Sequence, residues 1–241
     1  MRCLLMLSLF FGALQTAAGE ETSSSRFYSK LGTVFPLSAG VGLGYSDGVH
    51  WQLEAGVGFT PKPYYETIGT VAADSGGNAS YKEVLEAAFQ NNSLWGILLQ
   101  YNLSGPREGW SFGVAASELA STGEAGIDQV LAAATGRDYT QLKNLLVLAH
   151  RDPNVDMTSR LLIGEIQAGH AWEWSEHWVG RLSVGVAQVL SSDVHLKTGL
   201  PNFEASAAGS NLMRSSESEL ESIINKYGLS PTVGFSASYF F

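Results

Sequence analysis

From Phe27 to the end of the chain, large apolar residues recur at alternate positions in several separate runs. The first run places Phe27, Leu31, Phe35, Leu37, Ala39, Val41, Leu43 and Tyr45 in one phase, while the even positions from Ser38 to Gly44 are serine or glycine. After Ser46-Asp47-Gly48 the same phase resumes as Val49, Trp51, Leu53, Ala55, Val57 and Phe59. Strand side chains point to opposite faces with period two, so each run predicts a strand with one greasy and one small or polar face. Later runs repeat the plan. Trp95, Ile97, Leu99, Tyr101 and Leu103 lead through a Gly- and Pro-containing turn to Trp110, Phe112, Val114 and Ala116. Leu162, Ile166, Ala168, Trp172 and Trp174 lead through a turn at 175–177 to Trp178, Leu182, Val184 and Val186. The last run is Leu229, Val233, Phe235, Ala237, Tyr239 and Phe241, with Ser230, Thr232, Gly234, Ser236 and Ser238 between them.

The turn at 46–48 predicts a hairpin in which Tyr45 pairs with Val49. That register sets Gly44 opposite His50, Gly42 opposite Gln52 and Gly40 opposite Glu54, with glycines making room for bulky polar partners. The polar face as a whole collects His50, Gln52, Glu54, Glu165, Gln167, Glu173 and Arg181. A soluble barrel of the lipocalin type would need large apolar residues inside and polar ones outside. Here one face is large and apolar, and the other mixes glycine and serine with Glu, Gln and Arg. A barrel that faces lipid with its apolar side and a narrow lumen with its polar side satisfies both. Tyr45, Trp51, Tyr101, Trp110, Trp172, Trp174 and Trp178 lie beside the short turns, and Tyr239 and Phe241 lie at the terminus. They predict one interfacial girdle, with the short turns and the C-terminus on the same side.

The closing run, ending in Phe241 with Tyr239 two positions before it, resembles the last strand of bacterial outer-membrane β-barrel proteins. The resemblance implies an antiparallel transmembrane β-barrel of eight strands and a periplasmic side for the short turns. It also implies lipid contacts that include lipopolysaccharide, and a C-terminal strand read by the barrel-assembly machinery. No narrower subfamily is indicated. The other end fits export: Arg2, an apolar run from Cys3 to Leu14, and Ala17 and Gly19 at the −3 and −1 positions. These predict a signal peptide over 1–19 cleaved near Gly19, leaving 20–241 as one barrel domain. Strand parity is the difficulty. Phe27 to Tyr45 spans 19 residues, about twice a membrane strand of roughly 9–11 residues. A break at Pro36 would supply the eighth strand, yet the alternation keeps its phase there. A strand over 194–203 is the alternative.

Helical insertions are expected in the long connections, at about 63–93, 118–158 and 191–228. Ser80-x-x-Glu83 and Ser216-x-x-Glu219 read as capping boxes opening amphipathic helices, with Gly228 as a stop for the second. Residues 127–134 and 138–149 suggest a helix pair, the second started by Asp138. Together they predict a cap over the outer mouth.

Composition adds limits. The net charge of −9 without a basic cluster argues against nucleic acid as a partner. The single cysteine, Cys3, lies in the leader, so the mature chain has no thiol to ligate a metal. No later segment is long and apolar enough for a membrane helix. Of the histidines His50, His150, His170, His177 and His195, only His195 lies near the expected outer rim, beside Ser191, Ser192 and Asp193. Those residues offer a base, a hydroxyl and a carboxylate for a rim hydrolase or acyltransferase, but ordinary loop composition accounts for them as well. Asp152, Asn154 and Asp156 alternate like calcium ligands, but Ile163 stands where an EF-hand needs Glu. No catalytic, cofactor or metal residue is assigned. The expected role is a non-enzymatic barrel for envelope structure or surface binding, with a narrow channel for small or hydrophobic molecules as the alternative.

Overall fold

A computed structural model describes residues 26–74, 79–135, 137–148, 154–200 and 206–241. The strands are β1 (Phe27–Phe35), β2 (Ser38–Ser46), β3 (Trp51–Phe59), β4 (Asn91–Asn102), β5 (Gly109–Gly126), β6 (Asn154–Glu173), β7 (Trp178–Thr198) and β8 (Leu229–Phe240). They pair in sequence order, all antiparallel, and β1 closes on β8 with Tyr28 opposite Phe240. The helices are α1 (Lys62–Asp74), α2 (Ala79–Ala88), α3 (Ile127–Thr135), α4 (Thr140–Leu148) and α5 (Ala207–Tyr227). All lie in the connections opposite the short turns.

The long first run does break at Pro36. Leu37 N donates to Val34 O (2.7 Å), and Val34 pairs with Ser38. An odd number of residues in the loop keeps odd positions facing outward on both strands. Constant phase is therefore what this hairpin produces, and it carried no evidence against a break. The eighth strand is β1. The alternative strand over 194–203 does not form, because β7 runs unbroken to Thr198.

The β2–β3 register differs from the expected one. Tyr45 pairs with Leu53 rather than Val49, and Gly44, Gly42 and Gly40 face Glu54, Gly56 and Gly58. The turn is longer because Asp47 organises it. Its Oδ1 accepts from Val49 N (2.8 Å), His50 N (2.8 Å) and Trp51 N (3.0 Å), which withdraws those donors from the ladder. Desolvation of the carboxyl opposes ionisation there, but the three backbone donors together hold the Asp47 carboxyl below its usual range. The shift is an even number of positions, so every residue that stays in the ladder kept its face. Gly44 is required for another reason: a Cβ there would lie 2.0 Å from the Tyr28 ring.

The helices depart from expectation at their starts. Ser80 is inside α2, and Ser216 lies midway along α5 and is fully buried. The N-cap of α5 is Ser206, whose Oγ accepts from Gly209 N (3.0 Å). Gly228 does end the helix. Helix α1 falls within the helical insertion expected at about 63–93, although no capping signal of its own marked its start. Asp138 opens α4 by accepting from Thr140 N (2.8 Å). Its hydrogen bonds from the Thr140 hydroxyl and backbone N–H lower the pKa of that exposed carboxyl.

On one side the wall is low, ending at Phe35, Ser38 and Phe59; on the other, β5, β6 and β7 run on to Gly126, Asn154 and Thr198. A bulge between Leu162 and Ile163 leaves Leu190 as an extra residue of β7 and reverses its phase, turning Val194 and Leu196 inward. Those side chains join Ala125, Val155 and Met157 from the other two tall strands. Helices α2, α3 and α5 pack on them through Val84, Leu131, Met213 and Leu220. The connections expected to start near 118 and 191 are therefore strand for several residues, and this cap has its own apolar core.

Candidate functional site

The lumen is layered from the short-turn end outward. Nearest the turns, Arg181 of β7 is 7% exposed. Its Nη1 donates to Gln100 Oε1 (3.0 Å) and its Nη2 to Gln52 Oε1 (2.9 Å), with Asn102 Oδ1 and Pro106 O at 3.5 and 3.4 Å. The guanidinium is thus set among neutral amides. Arg107, from the β4–β5 turn, lies 5.1 Å over the Phe240 ring and pairs with Glu173 (3.1 Å). It also donates to the Glu176 carbonyl, tying two turns together. Phe240 stacks on Tyr28 at 4.9 Å.

Above this plug, Lys30 Nζ holds both oxygens of Glu54 at 2.8 and 3.0 Å, and the Tyr28 hydroxyl approaches Glu54 at 3.5 Å. Across the lumen Thr232 Oγ1 donates to Glu165 Oε1 (2.7 Å). A chamber of about 140 Å³ lies between, lined by Lys30, Glu54, Ser117, Glu165, Gln167 and Arg181 among others, with room for several waters. Its outer end is apolar. Tyr65, Phe89, Leu119, Leu161 and Ile163 cluster there, with Leu37, Leu94 and Ile224 at the margin.

Of the polar residues expected in the lumen, Gln52, Glu54, Glu165, Gln167 and Arg181 are brought together. His50 is not: it lies in the β2–β3 turn, with Nδ1 2.7 Å from Asn102 O and its ring 5.2 Å from Tyr101. The longer turn took it out of the strand. Glu173 sits half-exposed at the rim, against Arg107. Lys30, Tyr28, Gln100, Asn102 and Thr232 belong to the network and were not singled out, although their even positions beside outward odd ones point them inward. Arg107 lies in a turn, where alternation says nothing.

The rim constellation does not assemble. His195 and Asp193 are on the outer face of β7, paired at 3.3 Å and 71% and 58% exposed. Ser192 instead donates to Asn225 Oδ1 (3.2 Å). His150 and Asp152 lie outside the described residues, and Asn154 and Asp156 begin β6 rather than a calcium loop. Among the described residues no cluster of His, Asp and Glu is arranged to hold a metal.

Outside, Val57, Trp95, Trp110 and Ile166 are 62%, 54%, 57% and 64% exposed, and comparable residues continue around the barrel. A continuous apolar belt of this size has no place in water. The chain is a transmembrane β-barrel. No helix among the described residues is long and apolar enough to cross a membrane. Near the short turns Trp51 and Tyr101 meet edge to face at 5.0 Å, as do Trp178 and Tyr239 at 5.2 Å. Tyr45 contacts Phe27 at 5.1 Å, Trp172 contacts Trp174 at 6.1 Å, and Tyr239 contacts Phe241 at 5.6 Å. His170 stands between Trp110 (5.2 Å) and Trp172 (6.5 Å). On the tall strands the outward side chains become polar above Leu162, beginning with Arg160, Thr158 and Asp156 on β6.

No protein-family model matches the sequence, and neither does any curated protein. The barrel is similar in outline to a major outer membrane protein from Thermus thermophilus (12% identity, TM-score 0.46, covering 91% of this chain and 100% of that one). It is similar also to the N-terminal β-barrel domain of Pseudomonas aeruginosa OprF (10%, 0.38, covering 89% and 95%). A third is Acinetobacter baumannii CarO2 (12%, 0.35, covering 90% and 98%). These likenesses are of general outline, and no role passes from them to this chain.

Proposed function

We propose that this barrel is a non-conducting, non-enzymatic protein of a bacterial outer membrane, which holds a folded cap outside the cell. The observation that carries the reading is the double closure of the lumen, by the Arg181–Gln52–Gln100 network at one end and the apolar cluster around Tyr65 and Leu161 at the other. An eight-stranded barrel is only wide enough for its side chains to fill it, and here they do so at both ends. The export leader expected over 1–19 and the aromatic closing strand support the location and insertion by the barrel-assembly machinery. The belt, with polar side chains directly above it, supports contact with outer-membrane lipid including lipopolysaccharide. The cap, with its own core, supports surface binding; its ligand is unidentified.

The test is recording across planar bilayers with the refolded protein. Silence at moderate voltage is expected, in a protein whose closed barrel is verified by a heat-dependent shift in SDS gel mobility. Sustained current steps would overturn the reading in favour of a narrow channel, for which the chamber is the supporting observation.

A further inference from the structure

His170 sets an imidazole on the lipid-facing side of the barrel. It keeps the outward phase of β6 between Ala168 and Trp172, and its register partners are Trp110 of β5 and Leu182 of β7. Both partners are exposed on the apolar belt. Trp110 is the second residue of β5, directly after a short turn, so His170 stands at the edge of the belt, where hydrocarbon gives way to headgroups. Two indoles flank it. Trp110 meets the imidazole edge to face at 5.2 Å, and Trp172 lies nearly parallel to it at 6.5 Å. Gly180, opposite Trp172 on β7, makes room for this arrangement: a Cβ there would lie 2.9 Å from Trp172 and 2.4 Å from Trp174.

The other two described histidines at this end of the barrel have protein partners. His50 Nδ1 lies 2.7 Å from Asn102 O and His177 Nδ1 lies 3.2 Å from Phe240 O, each with its ring beside a tyrosine. His170 has no such carbonyl, because β6 is paired on both sides here and the ladder takes up the backbone groups around it. Among the described residues, ring contacts are the interactions that His170, Trp110 and Trp172 make. An imidazole always carries at least one N–H and each indole carries one. Three donors thus meet at one depth of the membrane without a protein acceptor, and hydrocarbon offers none. Glu173, three residues along, belongs to the other face and is paired with Arg107 at 3.1 Å. At this depth the lipid itself supplies ester carbonyls and a phosphodiester. The phosphodiester is anionic, so hydrogen bonds to it are charge-assisted and the stronger of the two.

We propose that His170, flanked by Trp110 and Trp172, is a binding site for the phosphodiester of a glycerophospholipid in the leaflet on the short-turn side. The imidazole donates to a phosphate oxygen, and the two indoles wall the headgroup in and add their own N–H groups. The site lies outside the barrel wall, so it goes beyond the closed-lumen reading and fails separately from it: bilayer recordings do not depend on His170.

The experiment is a titration of the refolded protein, held in phosphate-free dodecyl maltoside micelles, with short-chain phosphatidylglycerol. The side-chain nitrogen resonances of His170, Trp110 and Trp172 are followed by NMR, with Trp95, exposed on the outer face of β4, as the reference. Saturable shifts are expected at the first three and not at Trp95. Diacylglycerol of the same chain length, which has no phosphate, is expected to leave them unmoved, and so is inorganic phosphate alone. His170→Phe keeps a ring without an N–H and is expected to weaken saturation at Trp110 and Trp172 roughly tenfold or more. His170→Gln, which still donates, is expected to lose less. Shifts that never saturate or that Trp95 shares, an equal response to diacylglycerol, or a His170→Phe variant that titrates like the parent overturns the site. Equal shifts with inorganic phosphate overturn the lipid in favour of a free anion. If His170→Phe does not refold, the unaltered chain decides by which of its nitrogens saturate.

Discussion

Replacing Arg181 separates the two things its side chain does, filling the lumen and donating hydrogen bonds. Two of its contacts are good charge-assisted bonds, to Gln52 at 2.9 Å and Gln100 at 3.0 Å; those to Asn102 and Pro106, at 3.5 and 3.4 Å, count for little. Two such bonds amount to about 3–6 kcal/mol. Against that stands the cost of keeping a guanidinium out of water, several kcal/mol in itself, which the variant no longer bears. Water from the adjoining chamber can also reach the freed amides. Arg181→Ala is therefore expected to lose a net of at most about 3 kcal/mol. It also removes the bulk that separates the chamber from the short-turn end. Arg181→Met keeps much of the bulk without the charge, and the amides retain each other through Gln100 Nε2 to Asn102 Oδ1 (2.8 Å). It is expected to lose less stability and to remain closed. Urea unfolding in lipid vesicles, followed by tryptophan fluorescence, measures the first quantity. Uptake of a small solute by the chamber from the short-turn side, read by labelling of Ser117→Cys in a Cys3→Ser background, measures the second. If Arg181→Ala is as stable and as inaccessible as the parent, or if the Met variant is the more open of the two, the plug reasoning is wrong.

Gly44→Ala sets a Cβ 2.0 Å from the Tyr28 ring, and the overpacking is expected to cost about 1–3 kcal/mol and disturb the Tyr28–Glu54 contact; the urea midpoint checks it. Asp47 ionises below its ordinary value of 3.8, so its contribution is complete above that pH and is lost as pH falls through the folded value. The stability gap between parent and Asp47→Ala should thus be constant near neutrality and close in acid, and a gap that widens there refutes the assignment. Leu131→Ala, at a fully buried cap position, is expected to weaken the cap by about 2–5 kcal/mol. Limited proteolysis should then cut the connections while the heat-dependent gel shift of the barrel persists.

How much of this was legible from residues alone follows from what each pattern can encode. Alternation sets the face of a strand residue, so the lipid belt, the girdle and the inward direction of Gln52, Glu54, Glu165, Gln167 and Arg181 could be read directly. It is blind to even shifts in register. The four-residue displacement that put Gly44 rather than Gly40 against Glu54 came from the hydrogen bonds of one turn carboxylate. Those same bonds moved His50 from the expected lumen into a turn. The capping pattern at Ser216 misled because serine and glutamate three apart also occur inside a helix, and here Ser216 is buried and Glu219 exposed midway along α5.

The period-two pattern and the aromatic residues beside the turns determined by themselves that this chain crosses a membrane as strands and which end its short turns share, because lipid and water sort side chains locally. Only the tertiary structure decided which polar residues meet, that Arg181 is held by amides and Glu54 by Lys30, and that α5 packs on the tall strands. Those contacts join positions far apart in the chain, across a closed lumen whose width and stagger no local pattern records.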